Sequence, residues 1–385
     1  MQNFDYYNPT HIIFGKGRIA DLDKQVPANA RVLITYGGGS VRKNGTLDEV
    51  KAALGQRHVL EFSGIEPNPA YETLLPAVEL VRREKIDFLL AVGGGSVIDG
   101  TKFIAAAACY AGDPWEILTS HGAKVTGALP LGTVLTLPAT GSEMNNGAVV
   151  TRKELKAKLP FLHPAVYPRF SVLDPTKTFT LPPRQIANGV VDAFVHVMEQ
   201  YLTYPVNSPV QDRFAESLLQ TLVEIGPQAL ANPQDYDIRA NVMWTATLAL
   251  NGLIACGVPQ DWATHMIGHE LTALYGMDHG QTLAVVLPAM MDERRQAKEA
   301  KLLQYGERVW GIREGSVAAR IDAAIAKTRE FFEAMGTKTR LADYGVGQDG
   351  VDQVIAQLQT HGMTALGETR EVTPEVSRRV LERSL

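Results

Sequence analysis

The sequence predicts an α/β domain built on a parallel sheet with helices on both faces, followed by an all-α domain. Three observations carry this reading. At 385 residues the chain is long for one hydrophobic core. Through its first half, short continuous apolar runs alternate with helix-like segments, the pattern of parallel strands buried on both faces. After Pro182-Pro183 the β-rich runs cease, and helical patterns separated by Gly and Pro take over. The division therefore falls between residues 1–182 and 183–385.

The elements follow in order. Residues 31–36 form a β-rich run closed by Gly37-Gly38-Gly39-Ser40, and a helix is expected over 47–54. Residues 88–92 repeat the arrangement, closed by Gly93-Gly94-Gly95-Ser96 and followed by a helix over 97–108. A third strand over 133–137 ends at Pro138. In the second half, Pro259 and Gly276 bracket a helix over 260–275.

Composition narrows the class. Apolar residues make up 45% and charged residues 21%, with a formal net charge of −5. That is ordinary globular composition with no electrostatic footprint for nucleic acid. The pairs Arg82-Arg83, Arg294-Arg295 and Arg378-Arg379 read as solvated helix faces. No signal-peptide pattern opens the chain, and no apolar stretch is long enough to span a bilayer. Only Cys109 and Cys256 are present, which excludes a disulfide scaffold and fits a reducing, cytoplasmic compartment. Both are expected to be buried fillers.

Two glycine loops, each ending a strand, invite a phosphate. Without side chains the backbone can approach a pyrophosphate, and the following helix presents unpaired N–H groups. Gly93-Gly94-Gly95-Ser96 fits, although it is neither GxGxxG nor a Walker loop, since Thr101-Lys102 is in the wrong order. The alternative is a plain sharp turn, with Ser96 and Asp99 as a capping box. The polar turn Pro138 to Glu143 also ends a strand and is equally consistent with a helix cap. No acid ends the strand over 31–36, leaving room for a 2′-phosphate beside Ser40, Arg42 and Lys43.

The second half concentrates histidines. Asp192 and His196 are four apart, as are His265 and His269, so each pair shares a helix face at roughly 6 Å between Cβ atoms. His279 follows just past Gly276. Asp192 lies in an otherwise apolar helix, where a carboxylate is costly to bury without a partner. One carboxylate and three imidazoles suit Fe²⁺ or Zn²⁺, and a satisfied core Asp–His pair is the alternative. His269-Glu270 does not extend to HExxH, because Ala273 stands where the second histidine belongs.

Together these motifs resemble those of the iron-containing alcohol dehydrogenase family. Gly93-Gly94-Gly95-Ser96-Val97-Ile98-Asp99 resembles its GGGSxxD loop, and Ala139 to Glu143 its [AG]TGSE turn. Asp192 to His196 is similar to its DAxxH helix, and His265 to Leu271 with His279-Gly280 to its HxxxHxL…HG signature. The finer similarity is to the family's NADPH-dependent aldehyde reductase and butanol dehydrogenase branch.

The resemblance implies an α/β nucleotide-binding domain, an all-helical metal-binding domain and an active site in the cleft between them. It implies one divalent ion, Fe²⁺ or Zn²⁺, on Asp192, His196, His265 and His279, with His269 near the nicotinamide as the catalytic candidate. Gly38, Gly39 and Ser40 would line the adenosine-phosphate end of NADP(H), and Gly94, Gly95 and Ser96 the pyrophosphate. Asp99, Thr136, Thr140, Asn145, Lys158 and Leu181 would complete the cofactor site. The implied activity is hydride transfer between NADP(H) and small aldehydes or primary alcohols, by a homodimer with no membrane or nucleic-acid partner. Glycerol dehydrogenase and dehydroquinate synthase are similar in fold; a sugar-phosphate cyclase would need a Lys/Arg cluster that the helical half lacks beside its ligands, and a nucleotide- and metal-sensing protein without turnover is the rival from another class.

Overall fold

Six strands form one sheet in the order β1-β8-β5-β4-β2-β3, and every neighbouring pair is parallel. They are β1 (His11–Phe14), β2 (Arg31–Thr35), β3 (His58–Phe62), β4 (Phe88–Gly94), β5 (Leu131–Leu137) and β8 (Phe170–Leu173). The computed structural model describes the whole chain, Met1–Leu385. The continuous apolar runs are β2, β4 and β5, inner strands with both of their faces covered. Val32 and Ile34 pack with Leu47, Val50 and Leu54 of the helix Thr46–Leu54. On the opposite face, the Thr35 hydroxyl bonds to the Thr101 hydroxyl at 2.5 Å, on the helix Gly95–Cys109.

The strand order contains one reversal. From β2 the chain moves outward to β3, returns to β4 on the other side of β2, and continues to β5. The crevice outside the carboxyl ends of β2 and β4 is thus a topological switch point, where open α/β sheets take their ligands. Both glycine loops stand there.

β6 (Gly147–Arg152) and β7 (Ala157–Leu162) form a separate antiparallel hairpin. The helix Gly95–Cys109 begins with Gly94 as its N-cap, so Ser96 and Asp99 form no capping box. The Ser96 hydroxyl instead accepts from the Asn68 N–H at 3.2 Å.

The other half is built of helices. Pro183 opens the helix Pro183–Tyr201 at its first position, where no N–H is needed. This helix is buried along nearly its whole length; Phe194 packs between Phe331 and Phe332. The helix bearing His265 starts at Ala263 rather than at Gln260. Trp262 before it adopts φ 64°, and the Asp261 carboxylate accepts from the Ala263 N–H.

The two compact units are not continuous in sequence. One comprises Tyr7–Leu181 and Pro233–Thr247, the other Met1–Tyr6, Pro182–Asn232 and Leu248–Leu385. The returning segment is held by Arg239, whose buried guanidinium donates to the Thr178 hydroxyl at 2.9 Å, and by Trp244 packed edge-on to Phe14. Met1–Tyr6 joins the helices through the Gln2 N–H, which donates to Gly257 O. Two smaller expectations are corrected. Arg82 is not simply solvated, since its guanidinium caps the carbonyls of Ala107, Ala108 and Tyr110 at the end of the helix Gly95–Cys109. Cys109, at that same helix end, is exposed. No helix is long and apolar enough to cross a membrane.

Candidate active site

At the switch point the first loop turns through Gly37-Gly38-Gly39 into a single helical turn, Ser40–Lys43. Gly39 has φ 101°, a conformation that side chains rarely adopt. An acid does stand near this loop, contrary to the sequence expectation. Glu61 of β3, opposite Ile34, accepts from the Tyr36 hydroxyl at 2.8 Å, from Arg42 at 2.5 Å and from Lys51 at 2.8 Å. Strand pairing brings it in from 25 residues downstream of Tyr36. The Lys51 bond, above all, holds its carboxyl below the usual range. Arg42 and Lys51 both face this carboxylate, and the Asp48 carboxylate acts on both cations as well.

The second loop lies against the turn after β5. A Cβ on Gly95 would sit 2.3 Å from Thr140 Oγ1 and 2.5 Å from its Cγ2, so only glycine permits this approach. Thr136 is the penultimate residue of β5. Asn145 donates to Gly141 O, and its Oδ1 accepts from the Gly147 N–H. Asp99 is buried, its two oxygens taken by the Ser142 hydroxyl at 2.6 Å and the Val149 N–H at 2.9 Å. Burial pushes its carboxyl up from the normal value. Lys158 on β7 reaches Asn68 Oδ1 at 2.8 Å, joining the hairpin to the residue that bonds Ser96. Leu181 ends the turn after β8, its N–H donating to Thr178 O.

The helical unit gathers the other set. Asp192, His196, His265 and His279 each offer one ligand-type atom, all within 4.8 Å of one another. Asp192 Oδ1 lies 3.4 Å from His196 Nε2, 3.8 Å from His265 Nε2 and 3.5 Å from His279 Nε2. Three are buried, and His279, opening the helix His279–Glu293, is partly exposed. Burial pulls His196 down to about 4, so it carries a lone pair at neutral pH. His265 Nε2 is buried with no hydrogen-bond partner. Such an orphaned nitrogen facing a carboxylate and two more imidazoles fits a divalent cation. His269, one turn beyond His265, stands outside the four; its ring centroid is 6.4 Å from that of His265 and 5.4 Å from that of His279.

Comparison with known proteins bears on both sets. Residues 9–175 match iron-containing alcohol dehydrogenases, and residues 186–384 match the C-terminal domain of the same family. The chain belongs to the iron-containing alcohol dehydrogenase family. It is 62% identical over 384 residues to the NADPH-dependent aldehyde reductase YqhD of Escherichia coli (strain K12), covering 99% of each chain. It is 41% identical to the probable NADH-dependent butanol dehydrogenase 1 of Bacillus subtilis (strain 168), covering all of both. The crystal structure of E. coli K-12 YqhD superposes with a TM-score of 0.99 at 61% identity, over 100% of this chain and 99% of that one.

In this iron-containing alcohol dehydrogenase, sequence reasoning passed over Lys102 and Glu199. Lys102 is fully buried and donates to Ser142 Oγ at 2.8 Å, Asn145 O at 2.9 Å, Asn145 Oδ1 at 3.1 Å and Gly147 O at 2.8 Å. It thereby pins the turn that carries Thr140 and Asn145. Glu199 hydrogen-bonds His265 Nδ1 and accepts from the Thr264 N–H at 2.7 Å. The signal for Glu199 was available: positions 192, 196 and 199 fall on one stripe of an apolar helix. Lys102 was equally visible, three residues from Asp99 in an apolar helix where a charge must be paired.

Proposed function

We propose that the chain reduces small uncharged aldehydes with NADPH, and oxidises the matching primary alcohols, using one divalent ion, iron or zinc, held by Asp192, His196, His265 and His279. The observation that carries this is the convergence of one buried carboxylate oxygen and three imidazole nitrogens within 4.8 Å, in a member of a dehydrogenase family. An ion bound there supplies a Lewis acid for a carbonyl oxygen. The nicotinamide supplies or accepts the hydride.

The chain's own residues position and balance charge. The N-terminus of the helix Gly95–Cys109, with Gly94, Gly95 and Ser96, offers backbone N–H groups to the pyrophosphate. Gly38, Gly39 and Ser40 line the adenosine-phosphate end, where Arg42 and Lys43 favour a 2′-phosphate. The E. coli relative's dependence on NADPH supports that choice. Asp99, Thr136, Thr140, Asn145, Lys158 and Leu181 complete the nucleotide site. His269 is the proton-handling candidate. The segments around the ligands, 190–198, 263–271 and 275–283, contain no Arg or Lys to clamp a carboxylate or phosphate, and Arg184 beside His279 is taken by Asp278 at 2.6 Å, which supports an uncharged substrate. The reading includes a cytoplasmic homodimer, which light scattering of the purified protein checks for assembly.

A steady-state panel of aldehydes and alcohols with both cofactors, on protein of defined metal content, tests the proposal. Fastest turnover is expected for short and medium aliphatic aldehydes with NADPH. Full activity in metal-stripped protein, or strong preference for a phosphorylated or carboxylated substrate, would refute it.

A further inference from the structure

We infer that Glu199 is a positioning residue that dictates which nitrogen of His265 carries the proton, and so makes Nε2 available to a metal ion. The inference rests on the metal reading above. The helix Pro183–Tyr201 presents Asp192, His196 and Glu199 on one face, and all three are buried. Glu199 Oε1 faces the Thr264 N–H at 2.7 Å, a group that can only donate. Its Oε2 faces His265 Nδ1. A carboxylate offers acceptors at both oxygens, so the imidazole must place its proton on Nδ1. Whenever the ring carries a single proton, as it must to ligate a metal, Nε2 is the nitrogen left with the lone pair, 3.8 Å from Asp192 Oδ1.

The ring cannot easily turn to escape this. Trp262 packs edge-on to it at 5.2 Å between centroids, and His196 stacks on it at 4.7 Å. The same stretch is tied a second time, as the Asp261 N–H donates to Glu199 O at 2.9 Å. Outer carboxylates that hold a ligating histidine in this way raise metal affinity in other proteins.

Glu199→Gln is the discriminating change, because it keeps shape and removes one acceptor. Thr264 N–H retains the amide oxygen, so the NH₂ group faces His265 Nδ1, which must then accept. The imidazole proton moves to Nε2 and occupies the position a metal would take. Competition with a chelator should show affinity for Co²⁺ or Zn²⁺ reduced by about 10–100-fold. The Co²⁺ absorption spectrum should lose the signature of one nitrogen ligand. NADPH binding by the metal-free variant should stay at the wild-type level, because the glycine loops belong to the other unit.

An unchanged Co²⁺ affinity and spectrum in the variant would overturn this inference and leave the metal reading standing. Absence of stoichiometric Co²⁺ from the wild type, with no change on His196→Ala, would overturn the metal reading itself. Should the variant fail to fold, ¹⁵N-histidine NMR of the Zn²⁺-loaded wild type decides the matter. A proton on Nδ1 of His265 with metal on Nε2 supports the inference, and the reverse arrangement overturns it.

Discussion

Replacing Lys102 by Met keeps the side chain's length and removes its ammonium from a place where four acceptors depend on it. The bonds to Ser142, Asn145 and Gly147 vanish, and two carbonyls lose a charged donor. Asp99 loses its strongest cation and keeps the Ser142 hydroxyl, the Val149 N–H and the weaker pull of Lys158. Breaking a buried charged group away from its partners costs about 3–5 kcal/mol. For a unit of this size that lowers the thermal midpoint by roughly 6–20 °C. The turn bearing Thr140 and Asn145 should loosen as well, weakening NADPH in a fluorescence titration. The pH dependence supplies a second reading. Burial pulls Lys102 down to about 8, against 10.5 for the ordinary side chain. Between those values the unfolded chain binds a proton that the folded chain does not. The contribution of Lys102 to stability therefore rises with pH from 8 towards 10.5, falls as pH is lowered through the same window, and is read as the difference between wild type and variant. The Met variant should lack that slope. Melts followed by circular dichroism across pH 7–11 measure both effects. A variant within about 1 kcal/mol of wild type, with the slope intact, would show that Lys102 is not the pin described here.

Three further outcomes are expected. His265→Ala should lower kcat/KM by about 10³-fold or more while NADPH still binds, as checked by single-turnover kinetics and nucleotide fluorescence. Cofactor choice is best probed at Gly38, where an added side chain meets open space, because an acid at Gly39 would be strained by φ 101°. Gly38→Asp should move the ratio of kcat/KM for NADPH over NADH by about a hundredfold towards NADH, and an unchanged ratio would exclude the first loop from 2′-phosphate recognition. Gly95→Ala should weaken NADPH more than about tenfold. Adding Thr140→Ala should restore part of the loss, since it removes two of the three atoms that crowd the new methyl group.

β2, β4 and β5 were legible in the sequence because burial on both faces leaves a largely apolar run, as in residues 88–92. β1, β3 and β8 were not: at four or five residues each they are too short for a period to show. β6 and β7 mix charges, Thr and a proline, as a hairpin outside the main sheet can. Helical spacing paired Asp192 with His196 and His265 with His269; that His279, and not His269, completes the quartet was what the family resemblance implied. What spacing could not give was the tertiary pairing that sets Asp192 against three rings at once. Glu61 shows the same limit. It stands by the first glycine loop only because β3 pairs with β2, and local inspection of residues 36–43 finds no acid.

The return of Pro233–Thr247 to the α/β unit has a consequence for how this chain comes off the ribosome. When residue 181 leaves the exit tunnel the sheet's six strands are present, but Thr178 still lacks the guanidinium of Arg239, and Glu143 the hydroxyl of Thr247. Completion of the first unit waits for about 66 more residues, which at typical synthesis speeds of 5–20 residues per second is several seconds. Met1–Tyr6 waits longer still, for Gly257 to arrive. Vectorial folding of this polypeptide therefore cannot proceed as one finished half followed by another. A nascent sheet stays open while the helix that closes it is being made.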